Sequence, residues 1–342
     1  MKKEETRLPC IGIIANPASG KDIRRLVSYA TVIDNNEKIN IVKRIVLAAQ
    51  AIGIKKVLFM PDTFRIGSNV AETLSSEGVL TAEIETLNMK LTASYKDSTV
   101  AAKEMEALGA GCVVVLGGDG TSRAAAKGIT NTPLLPLSTG TNNVYPQMLE
   151  GTVAGTAAAA VVLMDDVQDC LIRDKRIEVY INNEPTDIAL VDAVLSDDLY
   201  AGAKAIWNYD NLRLMAVTRC HPATIGFSAI AGCMRMVFPE EDMGFLMHFG
   251  DGLAKVKAPV AAGVFCNISV KETQLLPLGK MIHIKLDRPG MVALDGEREL
   301  KVKKGDTLSF CLTRNGPLRV LPVKAVEKAM LRGMFNDLPD NF

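Results

Sequence analysis

Excess charge is the first thing this sequence lacks. Its 39 Lys and Arg residues balance 39 Asp and Glu across 342 residues. A chain without net charge has no long-range field to gather nucleic acid, or to hold an anionic lipid surface by charge alone. Histidine is scarce. His221, His248 and His283 stand far apart, and His283 lies on the polar side of an alternating run, MIHIKL, so no histidine metal site is expected. The seven cysteines are odd in number and form no C-x-x-C pair. That excludes a disulfide framework or a thiolate zinc site and fits reduced thiols in a cytoplasmic protein. Long apolar runs are also missing. No stretch of about 18 residues escapes charge or turn residues, so no spanning helix is expected. No basic amphipathic helix offers itself to a membrane surface. The apolar stretch Ile11 to Ala15 is too short for the core of a secretory signal. There is no internal repeat and no low-complexity segment.

What is present falls into two textures. Over residues 1–150, apolar strands alternate with helical spacing. Ile11–Ala15, Val57–Met60, Val79–Leu87, Cys112–Leu116 and Leu134–Leu137 read as strands. Asp22–Val32, Asn40–Ile52, Asp97–Leu108 (N-cap Asp97 or Ser98) and Ser122–Gly128 read as helices. Strands this apolar are buried on both faces, which predicts a parallel sheet covered by helices. An alanine-rich helix, Thr152–Met164, leads into a second region, 151–321, where strands dominate. Arg176–Ile181, Ile188–Leu195, Arg213–Thr218, Val260–Val270, Met281–Leu286, Met291–Leu294 and Thr307–Thr313 are separated by turns such as Asn182-Asn183-Glu184-Pro185 and Arg288-Pro289-Gly290. This predicts a mostly antiparallel β domain, interrupted by a helical stretch over Asp198–Trp207. Residues 322–342 return to helical spacing and are expected to pack back on the first domain.

Four segments carry chemistry. Asn16-Pro17-Ala18-Ser19-Gly20-Lys21-Asp22 follows the first strand. It resembles a Walker loop, but Ala15 replaces the first glycine and Asp22 stands where a hydroxyl would meet magnesium. Backbone N–H groups, Gly20 and the cationic Lys21 still suit an anion; a plain turn capped by Asn16 and Ser19 is the alternative. Gly117-Gly118-Asp119-Gly120-Thr121 follows a buried strand and opens a helix. Its glycines allow close approach to the backbone. Asp119 is a poor choice for passive anion binding, and suits a proton acceptor or an indirect magnesium partner. A third polar turn, Ser138-Thr139-Gly140-Thr141-Asn142-Asn143, also follows an apolar strand. Three such turns at the C-terminal ends of parallel strands line one crevice in open α/β sheets. Leu294-Asp295-Gly296-Glu297 lies between two strands of the β domain, where a D-G hairpin turn is the plain reading. Trp207, the single tryptophan, suits simple packing better than stacking on a base.

The order of these segments resembles the superfamily of NAD kinases and diacylglycerol-type lipid kinases. GGDGT is its most diagnostic string. Within it the chain looks closest to the ATP-NAD kinase-like proteins that include the X protein of acetoin-catabolism operons. The resemblance implies a two-domain kinase with its site between the domains. It places Gly117, Gly118, Gly120 and Thr121 around a nucleotide's phosphates, with Asn16, Ser19, Gly20 and Lys21 in the first phosphate loop. Thr139, Gly140, Thr141, Asn142 and Asn143 form the third loop. It implies Asp119 and Glu297 as catalytic bases, and Asp295 as the acid that orders magnesium. It also implies ATP and Mg2+ as cofactors, NAD as acceptor, and a homodimer or homotetramer. Nucleic acid and stable membrane association are not expected.

The chain departs from the family at two places. NAD kinases carry an Asn-Glu pair that binds the nicotinamide half, and lipid kinases continue GGDGT with Asn-Glu-Val. Here Ser122-Arg123-Ala124 and Asn142-Asn143 stand instead. Arg123 is therefore expected to pair with Asp119 or with a ligand phosphate. Three functions follow from this reading: an NAD kinase giving NADP, a lipid or small-polyol kinase, and a non-catalytic nucleotide-binding regulatory protein.

Overall fold

Seven strands build the first sheet, and their order explains where a ligand would go. In this computed structural model, residues 8–19, 29, 31, 33–140, 143–198 and 208–336 are described. The elements run β1 (Cys10–Ala15), α1 (Asn35–Ile52), β2 (Lys56–Phe59), α2 (Ile66–Ser76), β3 (Glu83–Thr86), α3 (Lys96–Ala107), β4 (Cys112–Gly117), α4 (Asp119–Ala126), β5 (Leu134–Ser138) and α5 (Gly151–Leu163). Two later strands, β6 (Leu171–Arg173) and β17 (Leu318–Val320), join them in the order β3-β2-β1-β4-β5-β17-β6. The first five strands pair in parallel, and β17 runs parallel to β5 but antiparallel to β6. The chain leaves β1 to one side for β2 and β3, then returns to its other side for β4. The crevice between β1 and β4 is thus a topological switch point, where open α/β sheets take ligands.

Burial matches the reading of this sheet. β1, β4 and β5 are buried throughout. One face packs Val42, Ile45 and Val46 of α1 with Ala157 and Ala158 of α5, and with Ala325 of the last helix, α7 (Pro322–Leu331). The other face packs Ala101 and Met105 of α3, Ala125 of α4, and Tyr145.

The β domain adds β7 (Arg176–Ile181), β8 (Glu184–Ala189), β9 (Asp192–Ser196), β10 (Leu212–Val217), α6 (Phe227–Gly232), β11 (Met243–Ala261), β12 (Val264–Pro277), β13 (Met281–Lys285), β14 (Gly290–Leu294), β15 (Glu297–Val302) and β16 (Thr307–Thr313). They form a six-stranded sheet, β12-β11-β10-β9-β14-β15, and a four-stranded sheet, β13-β16-β7-β8. Ile177, Leu308 and Phe310 of the smaller sheet pack on Leu195, Leu214 and Val292 of the larger. Among the described residues, no helix is long and apolar enough to cross a membrane. All seven cysteines are free thiols.

Several boundaries differ from the sequence reading. α1 starts at Asn35 rather than Asn40, because the Asp34 carboxylate caps the Glu37 N–H at 2.8 Å. α2 was not expected. Its Ile66, Val70 and Leu74 form one buried stripe, but Gly67, Ser68 and Asn69 obscure the period. α3 begins at Lys96, and Asp97 is no N-cap; its carboxylate takes the Thr92 N–H and hydroxyl instead. α4 begins at Asp119, three residues before Ser122, with Gly118 as N-cap. The run Ile188–Leu195 is two strands in two sheets, with the break at Leu190 and Val191. In the Asn182–Pro185 turn, Asn182 and Asn183 take left-handed φ of 54° and 68°, and Glu184 already belongs to β8. Val260–Val270 is the end of a long hairpin, turning at Ala262-Gly263, rather than one strand. α6 and β17 were not expected either. The helices expected over Asp22–Val32 and Asp198–Trp207, Trp207 included, lie almost wholly outside the described residues.

Candidate functional site

Asn16, the residue after β1, is tied to β4 across the switch point: Asn16 N–H donates to Leu116 C=O at 3.2 Å. Its side chain reaches both ways. Oδ1 accepts the Ala18 N–H at 2.9 Å, closing the turn, and Nδ2 donates to Thr121 Oγ1 at 3.0 Å on α4. The Ser19 hydroxyl donates to Asn16 C=O at 2.8 Å and meets the Thr139 hydroxyl at 3.0 Å. The first, second and third loops are therefore tied together by side-chain hydrogen bonds at the ends of β1, β4 and β5. Gly20, Lys21, Thr141 and Asn142 lie outside the described residues.

A residue that sequence reading missed supports the first loop from beneath. Lys38 on α1 is fully buried, and its ammonium donates to Asn16 C=O at 3.0 Å, Ser19 C=O at 2.7 Å and Asn35 Oδ1 at 3.0 Å. A buried ammonium satisfied by loop carbonyls fixes which way those peptides face. The signal was a lysine at the i+3 position from Asn35 and four before Val42, on the buried face of a helix that begins one turn earlier than expected.

The glycines of GGDGT work differently from a bare cradle. A β-carbon at 117 would fall 2.5 Å from the Thr121 β-carbon, one at 118 would fall 2.8 Å from Asn143 Oδ1, and one at 120 would fall 2.8 Å from Glu297 Oε1. Each glycine admits a neighbouring side chain, so together they bring the third loop and the β14–β15 turn onto the start of α4. Asn143 is itself held by donating to Ser138 Oγ at 2.8 Å and Gly140 C=O at 3.3 Å.

Asp119 lies in the first turn of α4, where the helix dipole favours a carboxylate. Its oxygens accept the Tyr145 N–H at 2.7 Å and the Val144 N–H at 3.1 Å, so it shapes the exit of the third loop. Tyr145 is anchored in turn. Its hydroxyl donates to Asp174 at 2.7 Å, and Arg219 and Arg319 pair with the same carboxylate at 2.8 Å each. All four side chains are buried. Burial pushes the Asp174 carboxyl up, but the two guanidiniums outweigh it and hold it below its ordinary value. Burial, with Asp174 alongside, raises the Tyr145 hydroxyl well above the usual range.

Asp295 and Glu297 share one turn but have different surroundings. Asp295 takes a left-handed φ of 51°, and its side chain is fully enclosed. It accepts the N–H groups of Leu190, Val191 and Asp192 at 2.7–3.2 Å and faces Arg123 Nε at 3.5 Å. Burial raises its carboxyl above the ordinary value, against the pull of Arg123 and those amides. Leu190 and Val191 lie in the break between β8 and β9, and Asp192 opens β9. Glu297 is only part-buried, and its carboxylate lies over Gly120. Arg123 pairs with Asp187 at 3.3 Å and with Asp295 at 3.5 Å. Among the described residues, no group of three or more His, Cys, Asp or Glu side chains is placed to hold a metal.

A parallel sheet with this switch point is followed by antiparallel sheets. Residues 11–166 match the family model of the ATP-NAD kinase N-terminal domain, and residues 175–315 match that of the acetoin catabolism protein X C-terminal domain. The chain is 37% identical over 317 residues to acetoin catabolism protein X of Cupriavidus necator, covering 89% of this chain and 88% of that one. It belongs to the acetoin catabolism protein X family. Solved structures with similar folds include yeast NADH kinase complexed with NADH, at 13% identity and TM-score 0.49, covering 99% of this chain and 91% of that one. A candidate diacylglycerol kinase of Bacillus anthracis has 13% identity and TM-score 0.48, covering 92% and 98%. The kinase-type domain supports a kinase-type function.

Proposed function

We propose that this protein transfers the γ-phosphoryl group of ATP to an alcohol, with the adenosine ribose 2′-hydroxyl of NAD as acceptor and NADP as product. The observation that carries it is the joining of three phosphate-type loops at the switch point, with a part-exposed carboxylate, Glu297, resting on the first turn of α4. In this reading the N-terminus of α4 and the Asn16, Ser19, Thr121 and Thr139 side chains seat the phosphates. Gly20, Lys21, Gly140, Thr141, Asn142 and Asn143 complete the loops. Glu297 takes the proton of the acceptor hydroxyl. The acceptor oxygen then bonds to the γ-phosphorus as the bond to the ADP oxygen breaks. We give Asp119 the task of holding the third loop in register, beside or in place of the proton transfer that the resemblance implies.

A magnesium ion fits these residues only in part. Asp295 has its oxygens directed at backbone amides and Arg123, so Glu297 is the acid of that turn with an open side. Bound with the nucleotide, magnesium would neutralise charge on the phosphate oxygens. A homodimer or homotetramer in the cytoplasm is part of the proposal.

One observation favours a different acceptor. The segments Asn16–Lys21 and Asp295–Glu297 resemble those of the lipid kinases in this superfamily. This supports a lipid or small polyol. The test is purified protein with labelled ATP, magnesium, and either NAD or a panel of polyols, sphingoid bases and glycerolipids. NADP formation that disappears in Glu297→Gln supports the first reading. Label on another alcohol moves the function to the second. ATP or dinucleotide binding by calorimetry without turnover on any acceptor leaves a regulatory protein.

A further inference from the structure

Two positions on α4 meet the two ends of one turn in the β domain. Gly120 and Arg123 are three residues apart, on the same helical face. Gly120 lies under the Glu297 carboxylate, and Arg123 faces the Asp295 carboxylate. Asp295 and Glu297 flank Gly296 between β14 and β15, and both Asp295 and Gly296 have positive φ, 51° and 80°. The turn is held on its far side by the amides of Leu190, Val191 and Asp192, and on its near side by Arg123. A plain staple between α4 and the β domain already exists in Lys127, which pairs with Asp187. Arg123 does something further, because its fork reaches Asp187 and Asp295 together. A lysine lacks the two separated nitrogens, Nη1 and Nε, that meet Asp187 and Asp295 here.

We propose that Arg123 is a positioning residue that fixes the Asp295–Gly296 turn against α4 and thereby holds the Glu297 carboxylate over the first turn of the helix. The charge reversal at this position, relative to the acid expected from the resemblance, then has a physical reason: the partner across the cleft is a buried carboxylate. That the carboxylate so held accepts a proton from the acceptor rests on the phosphoryl-transfer reading. That Arg123 holds the turn does not.

Amide hydrogen exchange and kinetics on the full chain test the two parts separately. In Arg123→Lys, exchange at Leu190, Val191 and Asp192 rises tenfold or more, while Lys127→Ala stays within twofold of wild type there. Exchange unchanged in Arg123→Lys overturns the proposal. Phosphoryl transfer, measured with the active acceptor or with water, falls tenfold or more in kcat in Arg123→Lys, with KM for ATP within threefold. On a Glu297→Gln background the same substitution changes kcat less than twofold, because it acts through the group already removed. An equal loss on both backgrounds overturns the proposal. Gly120→Ala, whose β-carbon displaces Glu297 from the other side, gives the same pattern if Arg123→Lys does not fold. If wild type transfers phosphate to nothing, the kinase reading fails and the exchange result alone decides the role of Arg123.

Discussion

The backbone N–H of Tyr145 lies 2.7 Å from the Asp119 carboxylate, and with the Val144 N–H at 3.1 Å it joins the GGDGT helix to the loop after β5. A carboxylate accepting backbone N–H groups contributes about 1.5–3 kcal/mol per charge-assisted bond. Asp119→Asn keeps one acceptor oxygen and loses the charge. It is expected to lower the thermal midpoint by several degrees and to reduce phosphoryl transfer at least tenfold. A wild-type rate in this variant removes Asp119 from any role in turnover.

Lys38→Met removes the ammonium beneath the first loop and leaves the carbonyls of Asn16 and Ser19 without that donor. Buried acceptors cost about 1–3 kcal/mol each when unmet. The variant is expected to unfold at lower urea concentration and to bind ATP at least tenfold more weakly, by calorimetry. Adenosine, which has no phosphate, is the control and should lose far less affinity.

Lys175 gives a pH dependence with a definite sign. It is fully buried, donating to Phe238 C=O at 2.9 Å and Met243 C=O at 2.6 Å. Burial, helped by Arg219, lowers its ammonium to about 8. The folded state therefore binds this proton less tightly than the unfolded chain does. Below pH 8 both states are charged and the burial cost is present in full. Between about pH 8 and 10.5 the folded lysine loses its proton first, and that cost is relieved by up to about 3 kcal/mol. Wild type minus Lys175→Met, in urea midpoints from pH 7 to 10, should show this relative gain; a flat difference rejects it.

Gly155→Ala tests the packing of α5 on α1. The added β-carbon would sit 2.3 Å from Ile45 C=O, a backbone atom that cannot step aside without moving the helix. Overpacking of this kind costs about 1–3 kcal/mol. The expected result is a lower melting temperature with nucleotide affinity unchanged.

The alternation of apolar strands with helical spacing made the first sheet legible, because burial on both faces writes an unbroken apolar run. The loops of the site were legible for a related reason: turn residues after a buried strand have few other uses. What escaped was set by distant partners. Ile188–Leu195 looks like one strand because both halves are apolar, and only the Asp295 carboxylate, far along the chain, shows that the amides at 190 and 191 belong elsewhere. The DG of Asp295-Gly296 reads as a hairpin turn and is one, but the burial of Asp295 depends on distant partners, the amides of Leu190, Val191 and Asp192 and the Arg123 guanidinium. Val260–Val270 reads as continuous because Ala261 and Ala262 extend the apolar pattern through the bend. Lys38 was hidden by a helix start that only the Asp34 cap reveals.

β17 closes a slot in the first sheet between β5 and β6, and it does so from residues 318–320. The ribosome makes the intervening chain, about 180 residues, at roughly 5–20 residues per second. For some ten to forty seconds a nascent molecule therefore carries β5 with its outer edge bare, a template for pairing with a neighbour on the same messenger. Production of this protein is expected to reward slow crowding and prompt completion, and truncations that stop short of residue 318 should precipitate where the whole chain does not.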